Sequence, residues 1–156
     1  MAEGIGMNRA ALLASAFEIA LRVEQQKVSA PVSITTKEDA VKLMAPVMSR
    51  LRHEEMWAIF LSSANGVIEK GRVSQGGVTS LIVDNKLIVK RAIELLASSV
   101  IIVHNHPSGV AEPSADDIAL THRIAEAAAL FDILLIDHII IAGSHSYSFR
   151  QHGLVK

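Results

Sequence analysis

At 156 residues, half of them apolar and 20% charged, the chain has the size of one domain with a continuous core and a globular balance rather than a disordered one. A formal charge of -1, with no polybasic arm or acidic tail, gives no basis for strong non-specific nucleic-acid binding. Cysteine is absent, so disulfides, thiolate metal sites and cysteine nucleophiles are excluded, and any metal must be held by histidine, carboxylate, carbonyl or water.

Gly4-Ile5-Gly6 reads as a tight turn entering a helix from Asn8, a plausible N-cap, to about Gln26, with Leu12, Leu13, Phe17, Ile19, Ala20 and Val23 at roughly helical spacing. Val28 to Ile34, containing Pro31, reads as an extended linker. A second helix is predicted from Lys37 to about Arg52, with Thr36 and Asp39 at capping-box spacing and Pro46 expected to kink or split it. Met56–Leu61 is a short apolar strand, and Asn65-Gly66 marks a hairpin turn into Val67–Val73, which Gly76-Gly77 breaks. Asp84 caps a helix expected from Asn85 to about Ala97. Val100–Val103 is a buried-type strand, followed by a loop over His104–Pro113 and a helix from Ser114 to about Phe131. Leu134–Ala142 and Tyr147–Phe149 form a closing hairpin around Gly143-Ser144. This order predicts an α/β fold: a mixed central sheet flanked by helices, with an N-terminal helical appendage. The apolar runs are too short to span a bilayer, and the N-terminus lacks the layout of a secretory signal, so the expected location is cytoplasmic, with no membrane partner.

The stretch that carries chemistry is His104-Asn105-His106-Pro107-Ser108-Gly109, continuing to Pro113-Ser114-Ala115-Asp116-Asp117. It follows a buried strand, and residues two apart in an extended chain point to the same side, so the two imidazoles can converge. Pro107 and Gly109 then turn the chain, and Asp117 falls in the first turn of the next helix, where a carboxylate also suits the dipole. Two imidazoles and a carboxylate with an open position describe a catalytic zinc site; structural zinc sites are usually closed by four protein ligands. His-x-His alone is a weak signal, and Ser114-x-x-Asp117 is equally the pattern of a capping box. The combination of strand, His-x-His-Pro, small-residue turn and Ser-x-x-Asp is far more specific.

With those residues in place, the chain resembles the JAMM (MPN+, JAB) metalloprotease family in the form seen in RadC-like proteins. Leu51–Leu61, Val73-Ser74-x-Gly76-Gly77, Thr121, Asp137-His138-Ile139-Ile140 and Ser148-Phe149 look like landmarks of the same family, and the likeness covers approximately Val32 to Leu154. The resemblance implies a cytidine-deaminase-like JAMM/MPN architecture over 31–156. It also implies that 1–30 holds a linker and the second half of a helix-hairpin-helix. It further implies that His104, His106 and Asp117 bind Zn2+, that Ser114 helps stabilise an oxyanion, and that a glutamate at the start of the first strand acts as general base. Glu54 best matches that glutamate, with Glu55 one place away; a strand's period of two would send these neighbours to opposite faces. Deubiquitinating members usually carry serine or threonine where this chain has Asn105, so the metal chemistry is carried over and the substrate is not.

The leading expectation is a zinc-dependent peptidase or isopeptidase. The runner-up is a DNA-repair-associated accessory or DNA-binding protein, resting on the Gly4-Ile5-Gly6 segment and the association of RadC with repair. A zinc nuclease ranks below both, with Arg123 the nearest candidate cation. Edge strands suggest a homo-oligomer. The remaining histidines are assigned plainer duties: His53 and His122 exposed on helices, His145 in a turn, and His138 in a satisfied core pair with Asp137.

Overall fold

The computed structural model describes residues 6–26, 32–75 and 84–155. The chain divides into two compact units, Met1–Pro31 and Val32–Lys156. In the first, α1 runs over Met7–Gln26. It opens on the Gly6 carbonyl, which accepts from the amides of Arg9 and Ala10, so Asn8 lies inside the first turn and is not the cap. Leu12, Leu13, Phe17 and Ile19 are exposed. Gly4 and Ile5 of the expected turn, Val28–Pro31 of the expected linker, and the Gly76-Gly77 break lie outside the described residues.

The second unit is built on a five-stranded sheet. Its elements are α2 (Lys37–Met48), β1 (Glu55–Leu61), β2 (Val67–Gln75), α3 (Asn85–Glu94), β3 (Ser99–Asn105), α4 (Ala115–Ala129), β4 (Leu134–Ala142) and β5 (His145–Ser148). The strand order is β2-β1-β3-β4-β5. All neighbours are antiparallel except β3 and β4, which are parallel and joined through α4. Alternation along the central strands makes two cores. Met56, Ala58, Phe60, Val100 and Ile102 pack with Ile88 and Ala92 of α3 and Leu120, Ile124 and Ala128 of α4. Ile59, Leu61, Ile101, Val103, Ile139 and Ile141 pack with Ala40, Met44 and Met48 of α2 on the other face. β3 is buried at every position, as a strand covered on both faces must be.

Three helices end earlier than periodicity predicts. α2 begins on the expected Thr36–Asp39 capping box. It passes through Pro46 without splitting and closes at Met48, with the Ser49 amide donating to Ala45. Proline removes only the amide that would bond the carbonyl four residues back, and later amides such as that of Ser49 still find their acceptors. α3 ends where Leu96 takes φ 51, with the Leu96 amide on Ile93 and the Ala97 amide on Ala92. This reciprocal pair usually calls for glycine, and leucine gives no such signal in the sequence. α4 stops at Ala129, short of Phe131, with Asp132 at φ 56. β3 in turn runs longer than expected, so His104 and Asn105 belong to the strand itself.

Candidate metal centre

His104 continues the face of Val100 and Ile102, toward α4, at the carboxyl end of β3. Asn105 faces the opposite way, and His106 returns to the first side. The ladder persists through this point, because the His106 amide donates to the Ile141 carbonyl over 2.9 Å. α4 then brings its first turn over the same side. Ser114 is its N-cap and Asp117 its third residue, forming the capping box that the spacing allowed. The Ser114 hydroxyl accepts from the Asp117 amide, while Asp117 Oδ2 accepts from the Ser114 amide and hydroxyl at 2.8 and 2.6 Å. The cap and the candidate ligand are thus one device.

The three predicted ligands come together. His104 Nε2 lies 2.9 Å from His106 Nε2 and 3.3 Å from Asp117 Oδ1, and His106 Nε2 lies 3.6 Å from Asp117 Oδ2. Donors on one tetrahedral zinc, each about 2.0–2.1 Å from the ion, stand about 3.3 Å apart. The chemistry of the donor set fits as well. His106 Nδ1 lies 2.7 Å from the Val110 carbonyl, an acceptor only, so that nitrogen carries the proton. In its neutral form His106 then aims a lone pair at the cluster, where a second imidazole nitrogen and a carboxylate already converge, and a cation resolves that crowding of electron pairs. Among the described residues this is the group of His, Cys, Asp and Glu side chains able to hold a metal ion.

Burial lowers the His104 imidazole to about 4, against the opposing charge of Asp117. The hydrogen bond with Asp117 raises His106 above 6.5, against burial and with help from the Val110 carbonyl and the charges of Asp117 and Glu54. Burial tends to raise the Asp117 carboxyl, but the His106 bond, the His104 charge and the Ser114 hydroxyl and amide outweigh it and hold it far below the ordinary carboxylate range. A carboxylate whose ionised form is favoured, beside an imidazole whose neutral form burial favours, suits metal ligation.

The two glutamates at the head of β1 separate as a strand requires. The register pairs Met56 with His104, and carrying it back two residues sets Glu54 across from His106, on the metal side. Glu54 is exposed. Glu55 is buried on the other face, where its carboxylate accepts from Trp57 Nε1 at 2.9 Å and Arg72 at 3.1 Å and meets His53 Nε2 at 3.0 Å. Asn105, buried beneath, accepts from the Glu55 amide at 2.8 Å and donates to the His53 carbonyl at 2.9 Å. One side chain therefore clamps the backbone on both sides of Glu54. His53 belongs to the segment after α2 and not to a helix, and its ring reaches Glu55 because α2 ended early.

Asp137 does not meet the His138 ring, although its Oδ1 accepts from the His138 amide at 2.8 Å. Asp137 faces the α2 side, where it accepts from the Ser148 hydroxyl and the Arg150 amide. His138, 0% exposed, lies behind His104, with Nε2 2.7 Å from His104 Nδ1 and Nδ1 2.6 Å from the Thr121 hydroxyl. Sequence reading placed His138 in the core but missed its neighbours, since only the parallel pairing of β3 with β4 reveals them. Asp116 is exposed, and the Trp57 indole donates to Glu55.

Residues 34–154 match the profile of the RadC-like JAB domain. A UPF0758 protein of Flavobacterium johnsoniae is 37% identical over 152 residues, covering 97% of this chain and 66% of that protein. UPF0758 proteins of Porphyromonas gingivalis (37% over 153 residues) and Methanosarcina mazei (35% over 153 residues) each have 67% of their length covered. The chain thus spans about two thirds of the length of these curated relatives, with 66% for the Flavobacterium protein.

Proposed function

The chain belongs to the family of RadC-like JAB domains, and from that premise we propose that it is a zinc-dependent hydrolase of metallopeptidase or isopeptidase type. The observation that carries this reading is the convergence of His104 Nε2, His106 Nε2 and the Asp117 carboxylate within 3.6 Å of one another along each edge, at the carboxyl end of a strand where open α/β sheets place their ligands. These three side chains would hold the ion. Bound there, zinc lowers the pKa of a water to roughly 7 and polarises a carbonyl oxygen.

The chain's own residues supply the remainder. Glu54 accepts a proton from the attacking water and returns it to the departing amine nitrogen. Its backbone cannot drift, because Asn105 holds both flanking residues. The Ser114 hydroxyl donates to Asp117 in the resting arrangement. Turned outward, the same hydroxyl serves the carbonyl oxygen as charge develops on it.

Metal analysis and assay of purified variants test the reading. Wild type is expected to hold one zinc per chain and to cleave peptide or isopeptide bonds in a library of unstructured and lysine-branched peptides. His106→Ala should lose the metal. Glu54→Gln should keep it while losing about 10²- to 10⁴-fold in turnover. A wild-type protein that takes up no stoichiometric metal removes the hypothesis.

A further inference from the structure

His138 is fully buried on β4 and takes no part in the chemistry described so far. A buried imidazole must have both ring nitrogens satisfied, and the partners it has chosen are informative. Nε2 lies 2.7 Å from His104 Nδ1, and Nδ1 lies 2.6 Å from Thr121 Oγ1. Thr121 Oγ1 in turn donates to the Asp117 carbonyl over 2.6 Å. The path therefore leaves one candidate ligand and returns to the backbone of another, entirely through the protein interior.

Each proton in this path is fixed once His104 Nε2 faces a cation. His104 must then carry its proton on Nδ1, and His138 Nε2 must accept it. A neutral His138 then carries its own proton on Nδ1 and gives it to Thr121. The Thr121 hydroxyl, having accepted, donates onward to a carbonyl that can only accept. Every donor meets an acceptor and none is left over. Metal-bound histidines ordinarily lean on a carboxylate, a carbonyl or water. A second neutral histidine sets the tautomer without adding negative charge behind the centre.

We propose that His138 and Thr121 are positioning residues of the metal centre: they hold His104 in its Nδ1-protonated form and tie the strand that carries it to the helix turn that carries Asp117. The proposal rests on the zinc reading above. The histidine and the threonine hydroxyl span strand and helix in the buried interior, with Phe149 stacked on the ring at 4.5 Å.

The test is zinc affinity by competition with a chromophoric chelator, together with ring nitrogen NMR of the zinc-loaded full chain. Thr121→Val keeps shape and removes the hydroxyl; it should weaken zinc binding about 10- to 100-fold, whereas Thr121→Ser should remain within about threefold of wild type. In wild type, His104 and His138 should both carry their proton on Nδ1, with neither Nε2 protonated. If wild type binds zinc and Thr121→Val binds it equally well, the positioning role falls and the zinc reading stands. If wild-type spectra place the His138 proton on Nε2, the role falls whatever the variants do, including a valine variant that fails to fold. If wild type binds no zinc, the proposal falls together with the reading beneath it.

Discussion

Adjacent glutamates on β1 meet unlike surroundings because successive strand residues face opposite ways. Glu54 is left to solvent and the metal side, whereas Glu55 is anchored by Trp57, His53 and Arg72. Burial alone would raise the Glu55 carboxyl, yet those bonds outweigh it and hold it below its ordinary 4.5. A folded-state value below the unfolded one contributes stability that is complete above 4.5 and is lost as pH falls through the lowered value. Glu55→Gln should therefore cost about 1.5–3 kcal/mol at neutral pH. In urea titrations the gap from wild type should close as the solution is acidified below 4.5, and zinc affinity should be unchanged. A gap that widens in acid contradicts this account. The choice between the two glutamates was partly legible, since period two separates them. Which one faces the histidines needed the register of β1 on β3, which composition does not encode.

At the scale of elements, the start of α4 joins local and functional chemistry. Ser114→Ala removes an acceptor for the Asp117 amide and a donor to Asp117 Oδ2. The expected loss is about 1 kcal/mol of stability from the cap, with weaker zinc binding because the carboxylate is released to other rotamers. Thermal melts and chelator competition check the two effects, and an alanine variant unchanged in both contradicts the linkage. Elements marked by side-chain chemistry were the readable ones: the Thr36, Asp84 and Ser114 caps stand at the heads of α2, α3 and α4. Ends without such chemistry were not readable. Leu96 and Asp132 close α3 and α4 through left-handed backbone, a conformation that tertiary packing imposes and that no glycine announces. The same holds for β3, whose polar last residues His104 and Asn105 look like loop by hydropathy but are held in the ladder by β1 and β4.

Across the whole second unit, topology explains why the ligands meet. β3 and β4 are parallel, and parallel neighbours need a crossover, here through α4. α4 packs on the face that carries Val100 and Ile102, which is also the face of His104, so the first turn of that helix reaches the carboxyl end of β3. The ligands lie on two elements whose packing they share, so zinc should act on the stability of the unit. Free zinc at 100 times its Kd is expected to add about 2.7 kcal/mol to unfolding. Calorimetry with graded zinc and then excess chelator should show a melting temperature that tracks zinc, with His106→Ala indifferent to it. A melting temperature independent of zinc in wild type would contradict this coupling.

The connection from His106 to Ser114 has one further consequence. Its near half is committed: Gly109 turns at φ 83, and the Val110 carbonyl orients the His106 ring. Beyond Val110, the short run to the helix cap contributes no ligand and no bond to one among the described residues. Extra length spliced in between Ala111 and Pro113 adds closure entropy only logarithmically, about 0.6 kcal/mol for each doubling. That stretch is consequently a tolerant splice point, where added residues can make new surface contacts while the His104, His106 and Asp117 cluster is left unaltered.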